Sequence, residues 1–208
     1  MRALLRIFFW ATVVFGLLCL VLYFAAFEPW TVPSDDPTLG VSLAPALAPG
    51  DLVLVSRSTT GEVGPLVRCP DPDAPGRFVV ARVVAKSGAV VDITAGKVRV
   101  DNHSPPTPSR CATPKVTVRN PTTQVDEELA CSDEELGGSS HPVLETTLAE
   151  KDTHVTVEGG QLFVISDNRA MHFDSRDFGL VSSNVCQRIV FRLWGTASDD
   201  PKRFSLVW

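Results

Sequence analysis

Ser42 is the residue of this sequence best placed to act as a nucleophile. The apolar residue Leu43 follows it, Pro45 lies three residues after it, and the same stretch ends in the pair Gly50-Asp51. A proline restricts the backbone close to the serine, and a serine held in this way can attack a peptide carbonyl when a base removes its proton. The same residue types also make ordinary turns. The segment therefore predicts either a hydrolase nucleophile or a simple loop.

Two further segments carry polar residues that could surround such a serine. The apolar run from Phe78 to Val84 contains one charge, Arg82, and a predicted hairpin follows it. The stretch from Ser166 to Gly179 reads Ser-Asp-Asn-Arg, four further residues, and then Asp-Ser-Arg-x-x-Gly. An unpaired charge in or beside an apolar strand is costly. We therefore expect Arg82 to pair with Asp167.

In this order, behind an apolar N-terminal run, the three segments resemble the signature segments of type I signal peptidases. These membrane-anchored serine peptidases remove leader peptides on the outer side of a membrane. The resemblance covers nearly the whole chain except a central insertion. It implies that Ser42 is the catalytic nucleophile and that the polar residues of the other two segments support the site. Those residues are Arg82, Asp167, Asn168, Asp174, Ser175 and Arg176.

A second serine, Ser34, competes for the role of nucleophile. The stretch from Ser34 to Leu39 matches the Ser-x-x-Pro-Thr-Leu half of the family pattern well. However, Asp35 puts a charge where the family has an apolar residue, and no Gly-Asp pair follows Leu39 at the family's distance. Ser42 has both features, so we expect it to be the nucleophile.

The chain departs from the family at the general base. The family has a lysine directly before the arginine of the second segment, and Ala81 occupies that position here. A general base typically contributes about 10²–10⁴-fold to the rate, so a serine without one is nearly inert. Lys86 has the right chemistry, but it lies at the predicted hairpin turn, where we expect it to point into water.

His172 is the expected replacement for that lysine. The family commonly has a serine here, two residues before Asp-Ser-Arg, and its hydroxyl contacts the lysine amine. An imidazole next to the space left by Ala81 could accept a proton near neutral pH. We therefore expect His172 to lie beside Ala81 and within a side-chain shift of Ser42. The alternative is that the ring only fills a gap in an inactive site.

Two smaller departures concern the same site. Ser166 replaces the first glycine of the family's Gly-Asp-Asn, a position where a strained backbone can require glycine. Gly40, two residues before Ser42, has no hydroxyl to stabilise an oxyanion. The backbone N–H of Ser42 is therefore expected to act there largely alone.

An uncharged apolar run extends from Ile7 to Phe27. As a helix rising about 1.5 Å per residue it would span about 30 Å, the thickness of a bilayer's hydrocarbon core. Arg2 and Arg6 precede it, and the positive-inside rule then keeps the N-terminus in the cytoplasm. A cleaved secretory signal is the competing interpretation, but its apolar region is shorter, about 7–15 residues. We expect a single-pass anchor in the cytoplasmic (inner) membrane, with the catalytic domain outside.

The remaining pattern predicts a mainly β fold, with a signal-peptidase-like antiparallel barrel-type core and an inserted small domain. Residues 1–30 are expected to form the anchor, 31–104 and 154–208 the two parts of the catalytic core, and 105–153 the variable insertion. β-branched and alternating runs predict the core strands.

The segments between these strands are expected to be irregular. Thr31–Pro49 is predicted to be a loop, and Ser58–Gly76 a connection, because both contain several turn-forming residues. In the insertion a single strand, Lys115–Val118, stands out. The acidic clusters of the insertion predict a solvated face.

Composition restricts the partners and the compartment. The chain has 208 residues and a net charge of −5, which gives no reason to expect nucleic-acid binding. Four cysteines lie beyond the anchor without a C-x-x-C pair, which argues against zinc and allows disulfides in an oxidising compartment. Three pairings are possible, and four reduced thiols are the alternative. The four are Cys69, Cys111, Cys131 and Cys186.

These observations predict a signal-peptidase-type serine endopeptidase, with Ser42 as nucleophile, His172 as base, and no metal or other cofactor. Its expected partners are signal-peptide-bearing preproteins and membrane lipid, and the chain is expected to be a monomer. Two alternatives stay open. One is an inactive homologue that binds exported peptides in the same groove, and the other is an anchored envelope assembly protein whose insertion makes the important contacts. Ser42→Ala separates them, because it abolishes function only in the enzyme.

Overall fold

Strands are the main regular secondary structure of the described residues. The structure is a computed structural model, and it describes residues 2–94, 96–146, 152–195 and 203–207. The helices in this part of the chain are α1 (Arg2–Ala26), α2 (Pro37–Ser42) and α3 (Ser175–Phe178). The strands in chain order are β1 (Phe27–Thr31), β2 (Leu52–Thr59), β3 (Leu66–Pro70), β4 (Phe78–Lys86), β5 (Val90–Thr94), β6 (Lys97–Val100), β7 (Ser109–Arg119), β8 (Asp126–Leu136), β9 (Ser139–Leu144), β10 (Thr153–Thr156), β11 (Gln161–Ile165), β12 (Val181–Ser182), β13 (Gln187–Trp194) and β14 (Ser205–Leu206). The mainly β prediction is therefore confirmed.

The N-terminal helix α1 is apolar along most of its length. Its stretch from Phe8 to Ala26 is long and apolar enough to cross a membrane, and none of that stretch is buried inside the protein. The helix ends at Ala26 and β1 begins at the next residue, so Phe27 belongs to the sheet. Arg57 of β2 donates from Nε to the Phe24 carbonyl at 3.1 Å. This bond ties the end of the helix to the sheet.

The largest sheet has the strand order β1-β2-β13-β3-β4-β11-β12, with β14 paired to β13. Its strand pairs are antiparallel. β4 is buried on both faces from Val79 to Ala85, which accounts for its almost unbroken apolar run. Among the described strands β1 and β12 are the edges, so this sheet is open and does not close into the barrel that the sequence suggested. β12 has only two residues, which leaves too few backbone groups for a closing ladder.

A smaller sheet confirms the predicted hairpin after β4. β5 and β6 pair with Thr94 opposite Lys97, and β10 pairs with the other side of β5. Gly96 in the turn has a φ of 73°, a conformation that glycine adopts without a Cβ penalty. Ala95, which precedes Gly96 in the chain, lies outside the described residues.

The insertion forms a third sheet. β7, β8 and β9 are antiparallel neighbours in that order, and a disulfide between Cys111 and Cys131 joins β7 to β8. The sequence predicted only the Lys115–Val118 strand, because proline and acidic residues disfavour strands locally. Backbone hydrogen bonding among the three strands outweighs this weak local preference against strand formation. β8 carries the acidic clusters, and Glu134 in one of them is buried, so the predicted solvated face is wrong for this residue.

A short helix, α2, replaces part of the loop predicted over Thr31–Pro49. Asp36 caps it, because its carboxylate accepts the Leu39 backbone N–H at 3.0 Å. Pro37 stands in the first turn, where the missing N–H of proline has no cost. The residues that suggested a loop therefore begin a helix whose last residue is Ser42.

β3 is a second element that the sequence analysis missed, within the predicted connection Ser58–Gly76. It pairs with β4 and β13, and Cys69 in β3 forms a disulfide with Cys186 beside β13. Turn-forming residues on both sides of this short strand concealed it. Of the three pairings that the sequence left open, the structure has Cys69–Cys186 and Cys111–Cys131.

Candidate functional site

Ser42 lies at the end of α2, where the helix packs on the main sheet. Leu39 and Leu43 of this segment belong to an apolar cluster that includes Val80 of β4. Ser42 itself is 1% exposed. Its hydroxyl donates to the Leu39 carbonyl at 2.9 Å. The predicted nucleophile is therefore buried, and its proton points to its own helix.

Asn168 connects Ser42 to the segment Ser166–Gly179. Its backbone N–H donates to the Ser42 carbonyl at 3.2 Å, and its side-chain Nδ2 donates to the Val41 carbonyl at 3.0 Å. Carbonyl groups at the end of a helix need partners beyond the helix, and Asn168 supplies them. The first and third predicted segments therefore meet through this residue.

Arg82 and Asp167 form a two-point ion pair inside the protein. Nε and Nη2 of Arg82 donate to the two carboxylate oxygens of Asp167 at 2.9 and 2.8 Å, and Nη1 donates to the Gly64 carbonyl at 2.9 Å. Neither side chain has any exposed surface. Burial alone would raise the pKa of Asp167, but the Arg82 guanidinium outweighs burial and lowers that pKa. The predicted pairing is confirmed.

The later part of the segment is a hydrogen-bonded turn that leads into α3. The Asp174 carboxylate accepts the Ser166 backbone N–H at 2.8 Å and two guanidinium N–H groups of Arg176 at 2.9 and 2.7 Å. Ser175 Oγ accepts the Val164 backbone N–H at 2.9 Å. Burial would raise the pKa of Asp174, but Arg176 and the backbone N–H groups lower it. These contacts hold the turn against the end of β11.

His172 lies in this turn and is hydrogen-bonded to Asp177. The distance from Nδ1 to Asp177 Oδ2 is 2.9 Å. Because a carboxylate only accepts, Nδ1 carries the hydrogen, and in the neutral ring the lone pair is then on Nε2. Burial lowers the pKa of His172, but the Asp177 hydrogen bond and the Asp174 charge outweigh burial, and the pKa is raised. An imidazole held in one tautomer by a carboxylate is suited to act as a general base.

Asp177 is the residue of this site that the sequence analysis missed. A signal was present, because Asp174 and Asp177 have the spacing of a capping box, and the structure contains both hydrogen bonds of that box. The ligand atoms of His172, Asp174 and Asp177 also lie within 4.8 Å of one another, close enough to hold a metal ion. Their carboxylate oxygens already accept hydrogen bonds from Arg176 and His172, and these bonds account for the cluster.

Apolar side chains enclose Ala81, the position of the missing lysine. Ala81 is buried in a cluster against which Phe173 and Phe178 pack. Phe173 follows His172 in the chain, so the turn reaches this cluster through its phenylalanine. The approach of the His172 ring to Ala81 and to the nucleophile stays a prediction. Lys86 lies at the exposed end of β4, as the hairpin pattern predicted.

Gly40 has no room for a side chain. A Cβ at this position would lie 2.7 Å from Pro49 Cγ, so a side chain would require the proline ring or the backbone to shift. The hydroxyl that the family places here to assist an oxyanion is therefore opposed by packing as well as absent from the sequence.

An open groove lies beside the first turn of α2. Its volume is about 580 Å³, and it is lined by residues within 33–39 and by residues 76–78. Leu39, whose carbonyl accepts the Ser42 hydroxyl, is one of the lining residues. The groove therefore borders the first turn of the helix whose last residue is Ser42.

The comparison with known families gives a match over most of the chain. A family model described as "Signal peptidase, peptidase S26" matches residues 4–194, a range that includes most of α1, the three signature segments and the third sheet. No curated protein matches the chain significantly. The chain therefore belongs to the signal peptidase family of serine peptidases, peptidase S26.

Proposed function

We propose that this chain is an active serine endopeptidase of the signal peptidase type, in which Ser42 is the nucleophile and His172 the general base. Asp177 orients His172. The observation that carries the proposal is the 2.9 Å hydrogen bond between His172 Nδ1 and Asp177 Oδ2. It occurs in a member of a serine peptidase family whose usual base position is occupied by Ala81. A base oriented by a third group is the usual companion of an activated serine.

The reaction begins with proton transfer from the Ser42 hydroxyl to His172 Nε2. Because Nδ1–H is engaged with Asp177, Nε2 holds the lone pair that accepts this proton. The serine oxygen adds to the scissile carbonyl carbon, and the imidazolium then gives its proton to the leaving amine. In the second step His172 accepts a proton from a water molecule, whose oxygen adds to the acyl carbonyl carbon. The imidazolium then returns the proton to the Ser42 oxygen as the acyl–serine bond breaks. Asp177 stabilises the imidazolium in both the acylation and the deacylation step.

Two movements must precede this proton transfer. The Ser42 hydroxyl must rotate away from the Leu39 carbonyl. A substrate must also open a path to Ser42, which is buried, and the groove lined by Leu39 offers the approach. We expect the serine oxygen and the imidazole nitrogen to come within about 2.6–3.2 Å when a peptide fills the groove.

The pH dependence of cleavage tests the role of His172. A base must be neutral, so activity falls as the pH drops through the pKa of His172 in the folded protein. Burial lowers this pKa and the Asp177 hydrogen bond raises it, with a net rise. We therefore expect kcat/KM to fall on the acid side with an apparent pKa above about 6.5, the ordinary value for histidine. An apparent pKa below that value, in assays at constant ionic strength, contradicts this assignment.

The proposed substrates are preproteins with leader peptides, and the proposed location is the outer face of the cytoplasmic membrane. Support comes from the family, whose members are usually membrane-anchored, and from the apolar helix α1. Arg2 and Arg6 lie in α1 before its apolar stretch Phe8–Ala26 and favour a cytoplasmic N-terminus. The proposed mechanism uses no cofactor.

The decisive experiment is incubation of the full-length protein in detergent with a preprotein, beside Ser42→Ala as the control. Release of the mature protein by the wild type and not by Ser42→Ala is the expected result. Cleavage by both proteins would point to a contaminating peptidase. Cleavage by neither, with both folded, overturns the proposal.

We expect Gly40→Ser to destabilise the protein by about 1–3 kcal/mol, the usual cost of overpacking, and not to increase cleavage. The reason is the close approach of Pro49. The unfolding midpoint in detergent and the cleavage rate measure the two effects. Gly159→Ser is the control, because a Cβ at Gly159 meets nothing within 4 Å. A Gly40→Ser protein that is as stable as the wild type and cleaves faster is the contrary result.

The second candidate function is an inactive peptidase homologue that binds exported peptides. Two observations favour it: Ala81 is buried in an apolar cluster against which Phe173 and Phe178 pack, and the Ser42 hydroxyl is hydrogen-bonded to its own helix. The double variant Ala81→Lys/His172→Ser restores the family's lysine and serine. If this variant cleaves a preprotein and the wild type does not, the chain is the inactive homologue.

A further inference from the structure

The insertion reaches the candidate site through buried charges. Glu134 of β8 and His141 of β9 lie opposite each other in the sheet, and both are buried. Glu134 Oε2 accepts Arg169 Nη2 at 2.7 Å and lies 3.3 Å from His141 Nε2. His141 Nε2 also lies 3.8 Å from Asp167 Oδ1. One carboxylate of the acidic cluster therefore contacts the segment that carries the site.

Arg169 is the residue on which these contacts converge. Its backbone N–H donates to the Leu144 carbonyl at 2.9 Å, and the Leu144 N–H donates to the Asp167 carbonyl at 2.8 Å. The end of β9 thus lies beside residues 167–169 like a neighbouring strand. The Arg169 carbonyl accepts Arg176 Nη1 at 3.3 Å. The turn that contains His172 is therefore held between Arg169 and Arg176.

The charge on Glu134 is what keeps the Arg169 side chain in place. Arg169 is 5% exposed, and its buried Nε has no hydrogen-bond partner. Burial raises the pKa of Glu134, but Arg169 and His141 outweigh burial and lower it, so Glu134 is charged at neutral pH. Without that charge Arg169 would be a buried cation without its ion-pair partner, which is strongly unfavourable. The guanidinium would then move toward water and carry the adjoining backbone with it.

We infer that Glu134 is a positioning residue of the peptidase site: by holding Arg169 it sets where the His172 turn stands relative to Ser42. The backbone supports this, because Asn168, which donates to the Ser42 carbonyl, is the neighbour of Arg169. The inference rests on the proposed function in so far as His172 is the base. The insertion is then a part of the active site and not an accessory to it.

Glu134→Gln tests the inference, because it removes the charge and keeps the shape. We expect kcat to fall about 10²-fold, which is the cost of displacing a reacting group by about 1 Å. KM should stay unchanged, because Glu134 acts on the chemical step and not on substrate binding. Glu135→Gln is the matched control, since Glu135 is the next residue of β8 and is exposed. Rates are compared per folded molecule, well below the unfolding temperature of each variant.

A second measurement does not depend on cleavage. NMR of the full-length proteins follows the pH at which the His172 ring titrates, which should shift in Glu134→Gln and not in Glu135→Gln. If the wild type cleaves nothing but this shift occurs, the proposed function fails and the positioning role stands. If kcat and the titration of His172 are both unchanged, the inference is wrong. Should Glu134→Gln not fold, Arg169→Lys keeps the charge, removes the guanidinium and permits the same two measurements.

Discussion

His172→Ala is expected to lower kcat/KM for leader-peptide cleavage by about 10⁴-fold or more, as far as Ser42→Ala does. A serine without a base and a base without a serine are equally ineffective, because the two groups carry out one proton transfer. The double variant should therefore lose no more activity than either single variant. Asp177→Ala should cost less, about 10²–10⁴-fold, because the ring remains but loses its tautomer and orientation.

The matched control for these variants is His154→Ala. His154 also bonds through Nδ1 to a carboxylate, that of Asp92, but this pair is exposed and lies in the smaller sheet. Its removal should leave cleavage unchanged. If His172→Ala cleaves at the wild-type rate, another base is at work, and Lys86 becomes the next candidate to replace.

Asp167→Ala is expected to lower the free energy of unfolding by about 3–5 kcal/mol, because it leaves the Arg82 charge buried without a partner. Burial raises the pKa of Asp167 and Arg82 lowers it, with a net decrease. The stabilisation by Asp167 is therefore present above about pH 3.9, its ordinary pKa, and is lost as the pH falls further through its lowered value. The difference between wild type and variant should narrow in that acid range. Equilibrium unfolding of the full chain in detergent measures both effects.

Two control variants distinguish the effect of losing the buried ion pair from nonspecific destabilisation of the protein. Glu128→Ala breaks the Lys115–Glu128 pair on the insertion, whose side chains are 68% and 56% exposed, and should cost no more than about 1 kcal/mol. Replacing both Arg82 and Asp167 by methionine should recover much of the loss, because no unpaired charge remains. A cost below about 1 kcal/mol for Asp167→Ala would mean that Arg82 finds water or another partner.

The sequence predicted those elements whose local pattern agrees with their final surroundings. β4 begins at Phe78, the first residue of the predicted apolar run, because that run is buried in the main sheet. The Arg82–Asp167 pair was predictable because Arg82 lies in an apolar strand and Asp167 just beyond the end of another, where opposite charges have few alternative partners.

The missed features depend on distant partners. α2 forms because Asp36 and Pro37 start a helix that then packs on the main sheet, although the same residues commonly make loops. Glu134 is buried only because β8 pairs on both sides and turns alternate side chains inward, which an acidic run does not reveal. The capping box with Asp174 holds Asp177 where it can bond to His172, and neither His172 nor Asp177 alone indicates that contact.

The direct passage from α1 into β1 has a consequence for which bond a peptidase of this form can cut. The helix ends at Ala26, the sheet begins at Phe27, and Arg57 holds the last helical turn. No residue separates α1 from β1, so if α1 is the proposed membrane anchor, the proposed nucleophile Ser42 is held at one height above the lipid. A leader peptide that spans the same bilayer would then present its chain at a set number of residues beyond its own apolar core. Under this proposal the selected bond would depend on distance from the membrane as well as on the side chains beside it.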